Sequence, residues 1–468
     1  MKIQTHTLQL TKDEFFYSFK EQANEQVHTA FLESGRGGNY TIAAWNPFAI
    51  AKSGEGTLHI TWQDGHEEVR EGEALAQLEA FVNEYRLEVD LSLPEFQGGA
   101  IGFISYDYAR KIERLPELAV DALNVPDLYY YLFDAWAVHN VKTDEVTLMK
   151  RQESEVDLAQ WADAWEKAAH KGMATRLFHA GGAVDIVQDE SELQISFSSE
   201  AFHQAVRDIQ EYISAGDVFQ VNLSVQQAKQ LNAPPIVMYE AVRSFNPSPY
   251  MAYIGSDSFA VVSGSPELLI KRAGTALSTR PIAGTRPRGI DEAADIALAN
   301  ELIENEKERA EHVMLVDLER NDLGRVSRYG TVEVDEFMVI ERYSHVMHIV
   351  SNVRGEIADG KTNTDVIRAM FPGGTITGAP KIRTMEIVET LEPVRRGLYT
   401  GSIGWLGYNG DMELNIVIRT AFVQDGVAYI QAGAGIVVDS IPENEFIESL
   451  NKAKAMWQAK AMAEATTK

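Results

Sequence analysis

Residues 411–431 read DMELNIVIRTAFVQDGVAYIQ, and this stretch decides which fold we expect. The even-numbered residues from Leu414 to Ile418 are apolar and lie on one face of an extended chain, as in a β-strand. A second apolar run follows the pair Asp425-Gly426, which is typical of a tight hairpin turn. The stretch therefore predicts two neighbouring antiparallel strands.

Similar signals recur on both sides of this hairpin. The run 57–62 alternates before the turn pair Asp64-Gly65, and strand patterns recur at 331–339 and 343–353. Helical spacing is present at 73–85, 158–178, 199–215, 292–318 and 442–463. Strands joined by hairpins, with helices outside them, predict an antiparallel α+β fold. The polar segment around 180–196 predicts a linker between an N-terminal region (1–180) and a second region (197–464).

The composition limits the partners that we expect. The chain has 468 residues, 45% of them hydrophobic, and a formal net charge of −27. So acidic a surface repels phosphate backbones and anionic lipids, so we expect neither a nucleic acid nor a membrane partner. No apolar run approaches about 18 residues, and residues 1–10 do not resemble a signal peptide. A cytoplasmic location is the simplest interpretation.

The sequence contains no cysteine. This excludes disulfides, thiolate metal sites and iron–sulfur clusters. It also excludes a catalytic thiol, so another chain must perform any step that needs one.

Three glycine-rich strings are candidate binding loops: 281–289, 371–381 and 431–436. Each one alone also fits a simple tight turn. The string 371–381 nearly matches a nucleotide-binding loop, but Ala379-Pro380 stands where Lys and Ser or Thr should follow. Proline has no amide to donate to a phosphate, so we reject nucleotide binding. The remaining functional interpretation is that backbone amides and the hydroxyls of Thr285 and Thr375 hold the carboxylates of a small acid.

Two cationic or titratable side chains have both a functional and an ordinary interpretation. Arg419 lies on the polar face of the predicted strand 411–423, where it is either solvated or bound to a carboxylate. His348 lies on an apolar strand face, where a hydrogen-bonded core residue is more common than a catalyst.

The carboxylates are the most ambiguous candidates. Glu311 has helical spacing with other acidic residues, and Glu448 precedes Lys452 by four positions, as in a surface ion pair. Both patterns predict solvated side chains, although two carboxylates from different helices also suit a magnesium ion. Glu267 follows an apolar strand, where a buried carboxyl with a raised pKa would serve as a general acid.

Several longer strings occur along the chain: DVFQVNLS (217–224), NPSPYM (246–251), PIAGT (281–285), EHVMLVDL (311–318), YSHVMH (343–348) and the two later glycine loops. Taken together, these strings resemble the chorismate-utilising enzymes, specifically the large synthase subunits that aminate chorismate. The strings occur in the family's order and cover essentially all of 197–464, and residues 32–34 and 98–99 extend the resemblance to nearly the full chain. The family fold is α+β, with two large antiparallel sheets packed in a sandwich and helices outside.

The resemblance implies a role for each motif residue. It assigns Glu311 and Glu448 to a magnesium ion, Glu267 to protonation of the departing C4 hydroxyl, and His348 to proton transfer near the enolpyruvyl group. The implied substrate contacts are Gly284, Thr285, Thr375, Tyr399, Arg419, Gly433, Ala434, Gly435 and Lys452.

Gln220 and Ala283 bear on which reaction is expected. Relatives that add water have a lysine base at the position of Gln220, so an amide there favours the addition of ammonia. The local sequence around Gly374 and Ser402 resembles that of the branch that forms 4-amino-4-deoxychorismate for 4-aminobenzoate and folate. Formation of 4-amino-4-deoxychorismate is therefore the expected activity. Many members of that branch have a lysine at position 283. This chain has Ala283, and anthranilate-forming members also have an alanine there. Anthranilate formation therefore stays as the alternative.

Two further expectations follow from the resemblance. Ser34, Pro249, Tyr250 and Met251 match the family's tryptophan pocket, so a non-catalytic tryptophan-binding protein of the same fold is a second alternative. Members of this branch take ammonia from glutamine through a separate class I glutaminase subunit with a cysteine nucleophile. Because this chain has no cysteine, we expect such a partner.

Overall fold

The computed structural model describes residues 2–24, 26–34, 39–178, 193–343 and 346–466, and most of the predicted linker at 180–196 lies outside these ranges. In order along the chain, the elements of the first region are β1 (Ile3–Gln9), α1 (Lys12–Ala23), β2 (Thr29–Ser34), β3 (Tyr40–Trp45), β4 (Ala49–Ser53), β5 (Thr57–Trp62), β6 (Glu67–Glu71), α2 (Ala74–Asn83), β7 (Gly99–Ile104), α3 (Ala109–Ile112), β8 (Leu128–Leu132), β9 (Ala135–Asn140), β10 (Glu145–Arg151) and α4 (Leu158–Ala174).

The second region continues this order. Its elements are β11 (Gln194–Ile195), α5 (Ser199–Ser214), β12 (Gln220–Gln230), α6 (Pro235–Phe245), β13 (Tyr250–Gly255), β14 (Phe259–Ser265), β15 (Leu268–Ala273), β16 (Ala276–Arg280), β17 (Ile282–Pro287), α7 (Glu292–Glu304), α8 (Glu306–Gly324), β18 (Glu333–Arg342), β19 (Val346–Glu356), α9 (Asn363–Met370), β20 (Gly378–Ala379), α10 (Lys381–Leu391), β21 (Ser402–Gly407), β22 (Met412–Asn415), β23 (Thr420–Gln424), β24 (Val427–Ile436), α11 (Pro442–Asn451) and α12 (Lys454–Ala465).

The described strands form two large antiparallel sheets, as predicted. The first sheet has the order β1-β10-β9-β3-β2-β13-β14-β23-β24-β12-β11, with β20 beside β12. The second has the order β17-β19-β16-β15-β22-β21-β7-β8-β4-β5-β6, with β18 beside β19. Each sheet contains strands from both regions of the chain, because β2 pairs with β13 and β7 pairs with β21.

Apolar side chains hold these layers together. Between the sheets, Ile101 and Trp405 of the second sheet pack in one buried cluster with Ile254 and Val261 of the first. Helices α1, α4, α6 and α12 cover the outer face of the first sheet, and α2, α8 and α9 cover the second. Full burial of one large apolar side chain contributes about 1.5–3 kcal/mol, so this layering is the main source of stability. Among the described residues, no helix has the length and apolar composition to span a bilayer.

The predicted helix at 292–318 is two helices. Asn305 has a non-helical backbone (φ −66°, ψ 114°) and ends α7. Its side chain accepts a hydrogen bond from the Glu308 amide at 3.0 Å and so caps the start of α8. The last helix is also interrupted, between α11 and α12 at Lys452-Ala453, but both residues keep helical backbone angles and no side chain caps the start of α12. Both breaks lie near candidate site residues.

The predicted strand at 411–423 is also divided. β22 belongs to the second sheet and β23 to the first, so residues 416–419 carry the chain from one sheet to the other. Arg419 has φ 50°, a left-handed conformation that a strand does not contain. The single-strand prediction was wrong here, although the hairpin across Asp425-Gly426 is confirmed, since Gln424 pairs with Val427.

Candidate active site

A cavity of about 230 Å³ lies where the chain crosses between the sheets. Glu267 lies at the crossing from β14 to β15, and Arg419 at the crossing from β22 to β23. The crossings are joined by backbone hydrogen bonds, from the Ile416 amide to Glu267 at 2.9 Å and from the Gly264 amide to Arg419 at 3.0 Å. The fold therefore brings a carboxyl group and a guanidinium group, distant in sequence, to one cavity.

Glu267 has the properties of a general acid. It is 4% exposed, and its Oε1 has no hydrogen-bond partner among the described residues. Burial raises the pKa of Glu267 to about 7, although the Thr375 hydroxyl, the Ile282 amide and the Arg419 charge oppose this rise. A carboxyl group with this pKa is partly protonated at neutral pH and is suited to proton donation.

His348 is buried beside this cavity as a neutral ring. Its Nδ1 lies 2.8 Å from the Gly284 carbonyl oxygen, which only accepts, so Nδ1 carries the proton. Thr285 Oγ1 lies 3.1 Å from the same nitrogen. Burial, and then the charge of Arg419, lower the pKa of His348 to about 4. The other nitrogen, Nε2, is left as an unpaired acceptor within the described residues.

The glycines of β24 make room for side chains of β12. A Cβ at Gly435 would lie 2.2 Å from Gln220 Nε2, and a Cβ at Gly433 would lie 2.5 Å from Asn222 Oδ1. Only glycine at these positions lets Gln220 and Asn222 lie across the neighbouring strand and line the cavity. The side chain of Ala434 does not line it, because its methyl group packs in the buried apolar cluster on the other face.

Gly284, Thr285, Thr375, Tyr399 and Lys452 also line the cavity. Gly284 has φ 62°, and a Cβ there would lie 2.8 Å from a Leu302 methyl group, so the position requires glycine. The hydroxyl of Thr375 is buried close to the Glu267 carboxyl group, whose pKa it lowers. Lys452 donates to the Gly433 carbonyl oxygen at 2.9 Å. Most of the substrate contacts that the resemblance implies therefore lie together.

The two carboxylates assigned to magnesium lie on adjoining cavities. Glu311 is half-buried, lines the main cavity and accepts a hydrogen bond from Gln220 Nε2 at 3.2 Å. Glu448 lines a wider opening of about 810 Å³, which shares Thr285, Arg419 and Lys452 with the main cavity. Its side chain is 51% exposed and pairs with Lys452 at 2.8 Å, as the sequence pattern indicates.

The chemistry of these donors fits a magnesium ion. Among the described residues, no three acidic or histidine side chains form a preassembled metal site. Magnesium needs few protein ligands, because it prefers oxygen and keeps several waters. Two carboxylates from different helices, each of which lines an open cavity, meet that preference.

Unpaired polar atoms converge on the main cavity. A polar atom that is buried without a partner costs about 1–3 kcal/mol, so several around one space indicate that the space holds a polar ligand. The positive groups Arg419 and Lys452 favour an anion there. The lining residues that have a buried unpaired atom are Gln220 (Oε1), Asn222 (Oδ1), Glu267 (Oε1) and His348 (Nε2).

Two polar residues of the cavity were missed by the sequence analysis, Asn222 and Gln431. Asn222 alternates with the apolar Val221 and Leu223 on β12 and so shares a face with Gln220. That alternation was a usable signal. Gln431 gave the same kind of signal, because it lies in the glycine-rich string 431–436 and shares a face of β24 with Gly433 and Gly435.

The residues that match a tryptophan pocket lie elsewhere. Ser34 and Tyr250 are directly paired across β2 and β13, although the side chain of Ser34 is outside what the structure describes. Pro249 and Tyr250 line a second cavity of about 620 Å³, which shares Pro266 and Ile282 with the first as a wall. Met251 lines a small space next to it.

The fold and the site define a class of protein. The chain belongs to the chorismate binding enzyme family, whose model matches residues 28–458. The resemblance inferred from the motifs is therefore confirmed at the level of the family.

Comparison with individual relatives shows which members of the family this chain is similar to. The chain is 49% identical over 464 residues to aminodeoxychorismate synthase component 1 of Bacillus subtilis (strain 168). This match covers 98% of this chain and 97% of that protein. The chain is also 47% identical over 383 residues to anthranilate synthase component 1 of Thermus thermophilus. This match covers 81% of this chain and 81% of that protein. The crystal structure of anthranilate synthase component I from Streptococcus pneumoniae TIGR4 has a TM-score of 0.75 and 33% identity, and the match covers 91% of this chain and 93% of that one. This likeness confirms the predicted fold.

Proposed function

We propose that this chain aminates chorismate with ammonia to give 4-amino-4-deoxychorismate, the precursor of 4-aminobenzoate and folate. The observation that carries the amination is Gln220, an amide hydrogen-bonded to Glu311 at a position where a base would be needed to activate water. Ammonia already has a free lone pair and needs no base. Similarity to aminodeoxychorismate synthase component 1, at 49% identity over nearly the whole chain, supports this product.

The residues of the cavity support a simple division of roles. Arg419, Lys452 and the Thr375 hydroxyl bind the carboxylates of the substrate. Glu267 donates its proton to the C4 hydroxyl, because hydroxide is a poor leaving group and water is a good one. The C4–O bond breaks and the C4–N bond forms, and the new ammonium group returns one proton to the site. Neutral His348 accepts through Nε2 near the enolpyruvyl group.

Magnesium belongs to the same proposal. Glu311 and Glu448 would hold it, each through carboxylate oxygens. The ion would neutralise the ring carboxylate and so allow a dianion into a protein with a net charge of −27.

Anthranilate formation is the second candidate, and Ala283 favours it. Ala283 lines the cavity where many relatives of the first branch have a lysine, so no lysine adduct can form there. The similarity to anthranilate synthase component 1 of Thermus thermophilus supports the same alternative.

Product analysis separates these candidates. The protein with chorismate, magnesium and ammonium salt should yield 4-amino-4-deoxychorismate, which a separate lyase converts to 4-aminobenzoate. Fluorescent anthranilate without lyase would show the second candidate to be correct. Failure to consume chorismate with magnesium would favour the non-catalytic, tryptophan-binding alternative.

A separate glutaminase subunit is the proposed source of ammonia. Glutamine hydrolysis of this type needs a cysteine thiolate, and this chain has no cysteine. The isolated protein should therefore use ammonium but be inactive with glutamine alone, and glutamine should become a substrate when the partner is added. Aminated product from glutamine without a partner would contradict this. We propose a cytoplasmic location for this chain.

A further inference from the structure

One wall of the main cavity carries hydrogen-bond acceptors. Gln220 and Asn222 are alternate residues of β12, and both line the cavity. Gln220 Oε1 and Asn222 Oδ1 are buried without a partner among the described residues. Because unpaired buried acceptors are unfavourable, this wall is suited to a ligand that donates N–H or O–H.

The positions of these two acceptors are fixed by their neighbours. Gln220 Nε2 donates to Glu311 Oε1 at 3.2 Å, which holds the amide group in place and leaves Gln220 Oε1 without a partner among the described residues. The backbone of Asn222 is held on both sides, since its amide donates to the Thr377 carbonyl oxygen at 3.0 Å and its carbonyl oxygen accepts from Arg396 Nη2 at 2.6 Å. Only the side chain of Asn222 remains available to a ligand.

The other walls carry hydrogen-bond donors in addition to acceptors. Arg419 and Lys452 are cationic donors, and Thr375 adds a hydroxyl. The carboxylates of a dianionic substrate only accept hydrogen bonds, so they bind at these donors and not at β12. Ammonia is neutral, with three N–H groups and one lone pair. Acceptors that hold its N–H groups leave the lone pair directed at the substrate.

We propose that Asn222, together with Gln220, forms the binding site for the ammonia nucleophile, with Asn222 Oδ1 accepting one of its N–H groups. This inference rests on the proposed amination and extends it by naming where the second substrate binds. Asn222 thereby selects a nucleophile that donates hydrogen bonds and orients it for attack.

Steady-state kinetics of Asn222→Leu test this site. At fixed pH and saturating chorismate, the KM for free ammonia should rise about tenfold to a hundredfold, because a desolvated N–H group loses its acceptor. The KM for chorismate, measured at saturating ammonia, should not change. Asn222→Ser removes the amide without adding apolar bulk, and the same selective rise is expected should the leucine variant not fold.

The matched control is Gln230→Leu, the same kind of change at the exposed end of the same strand, which should leave both KM values unchanged. A rise in the KM for chorismate alone would show that Asn222 contacts chorismate and would overturn the inference. Unchanged kinetics in both Asn222 variants would overturn it too, while the proposed function would stand. If the unmodified protein aminates no chorismate at any ammonium concentration, the proposed function fails and the inference fails with it.

Discussion

The two cavities that share Pro266 and Ile282 as a wall differ in how their polar groups are paired. In the first, buried acceptors lack partners, and among the described residues no carboxylate forms an ion pair with Arg419. In the second, the charged groups neutralise one another. Lys271 pairs with Glu95 at 2.7 Å and with Glu413 at 3.2 Å, and Arg280 pairs with Glu341.

This difference indicates which cavity requires a ligand. Unpaired buried groups gain hydrogen bonds when a polar molecule binds, whereas groups that are already paired must first be separated. The first cavity is therefore preorganised for a small polar ligand. The second is larger, but its volume alone does not indicate a strong ligand site.

The largest effect is expected from the carboxylates assigned to magnesium. Glu311→Gln or Glu448→Gln should nearly abolish turnover at saturating magnesium, because a neutral amide is a weak ligand for this ion. The same change in the second cavity, Glu95→Gln, should leave turnover nearly unchanged. Melting curves check that each variant folds. Full activity in either of the first two variants would disprove the metal assignment.

A smaller but still large effect is expected from Glu267→Gln. The amide keeps the size of the side chain but cannot donate an acidic proton, so kcat should fall by roughly 10²–10⁴-fold. Chorismate affinity should change little, which equilibrium binding can measure. A variant that loses binding and keeps its rate would make Glu267 a substrate contact and not the general acid.

The pH dependence follows from the same residue. Burial raises the pKa of Glu267 to about 7, so its acid form predominates below pH 7 and disappears above it. The kcat/KM for chorismate, at a constant concentration of unprotonated ammonia, should therefore fall by about tenfold per pH unit on the alkaline side. His348, with its pKa lowered to about 4, remains neutral throughout this range. If Glu267→Gln retains the alkaline decline, another group is responsible for it.

The smallest effect is expected at the second cavity. Tryptophan could bind there only by competing with ion pairs that already occupy the charged groups, so we expect it to change the initial rate by less than about twofold. The rate with chorismate and ammonium, measured with and without tryptophan, checks this. Strong inhibition that Tyr250→Ala abolishes would show that the second cavity is a regulatory site despite its internal pairing.

The sequence by itself determined the local elements and the chemical inventory. The alternation at 411–431 and the pair Asp425-Gly426 predicted a hairpin that the structure contains, because turns and strand periodicity depend on neighbouring residues. The lack of cysteine excluded a thiol mechanism without any structure. The motif strings identified most cavity residues, since they carry the family's pattern.

The tertiary structure alone decided how those residues act. The division of strand 411–423 between two sheets was not predictable, because it depends on pairing with β14 and β15. That pairing gives Arg419 its left-handed backbone and places it at the cavity with Glu267. The raised pKa of Glu267 and the unpaired acceptor of Asn222 likewise result from burial by distant segments. Burial and hydrogen-bond pairing are non-local quantities, which local sequence patterns cannot specify.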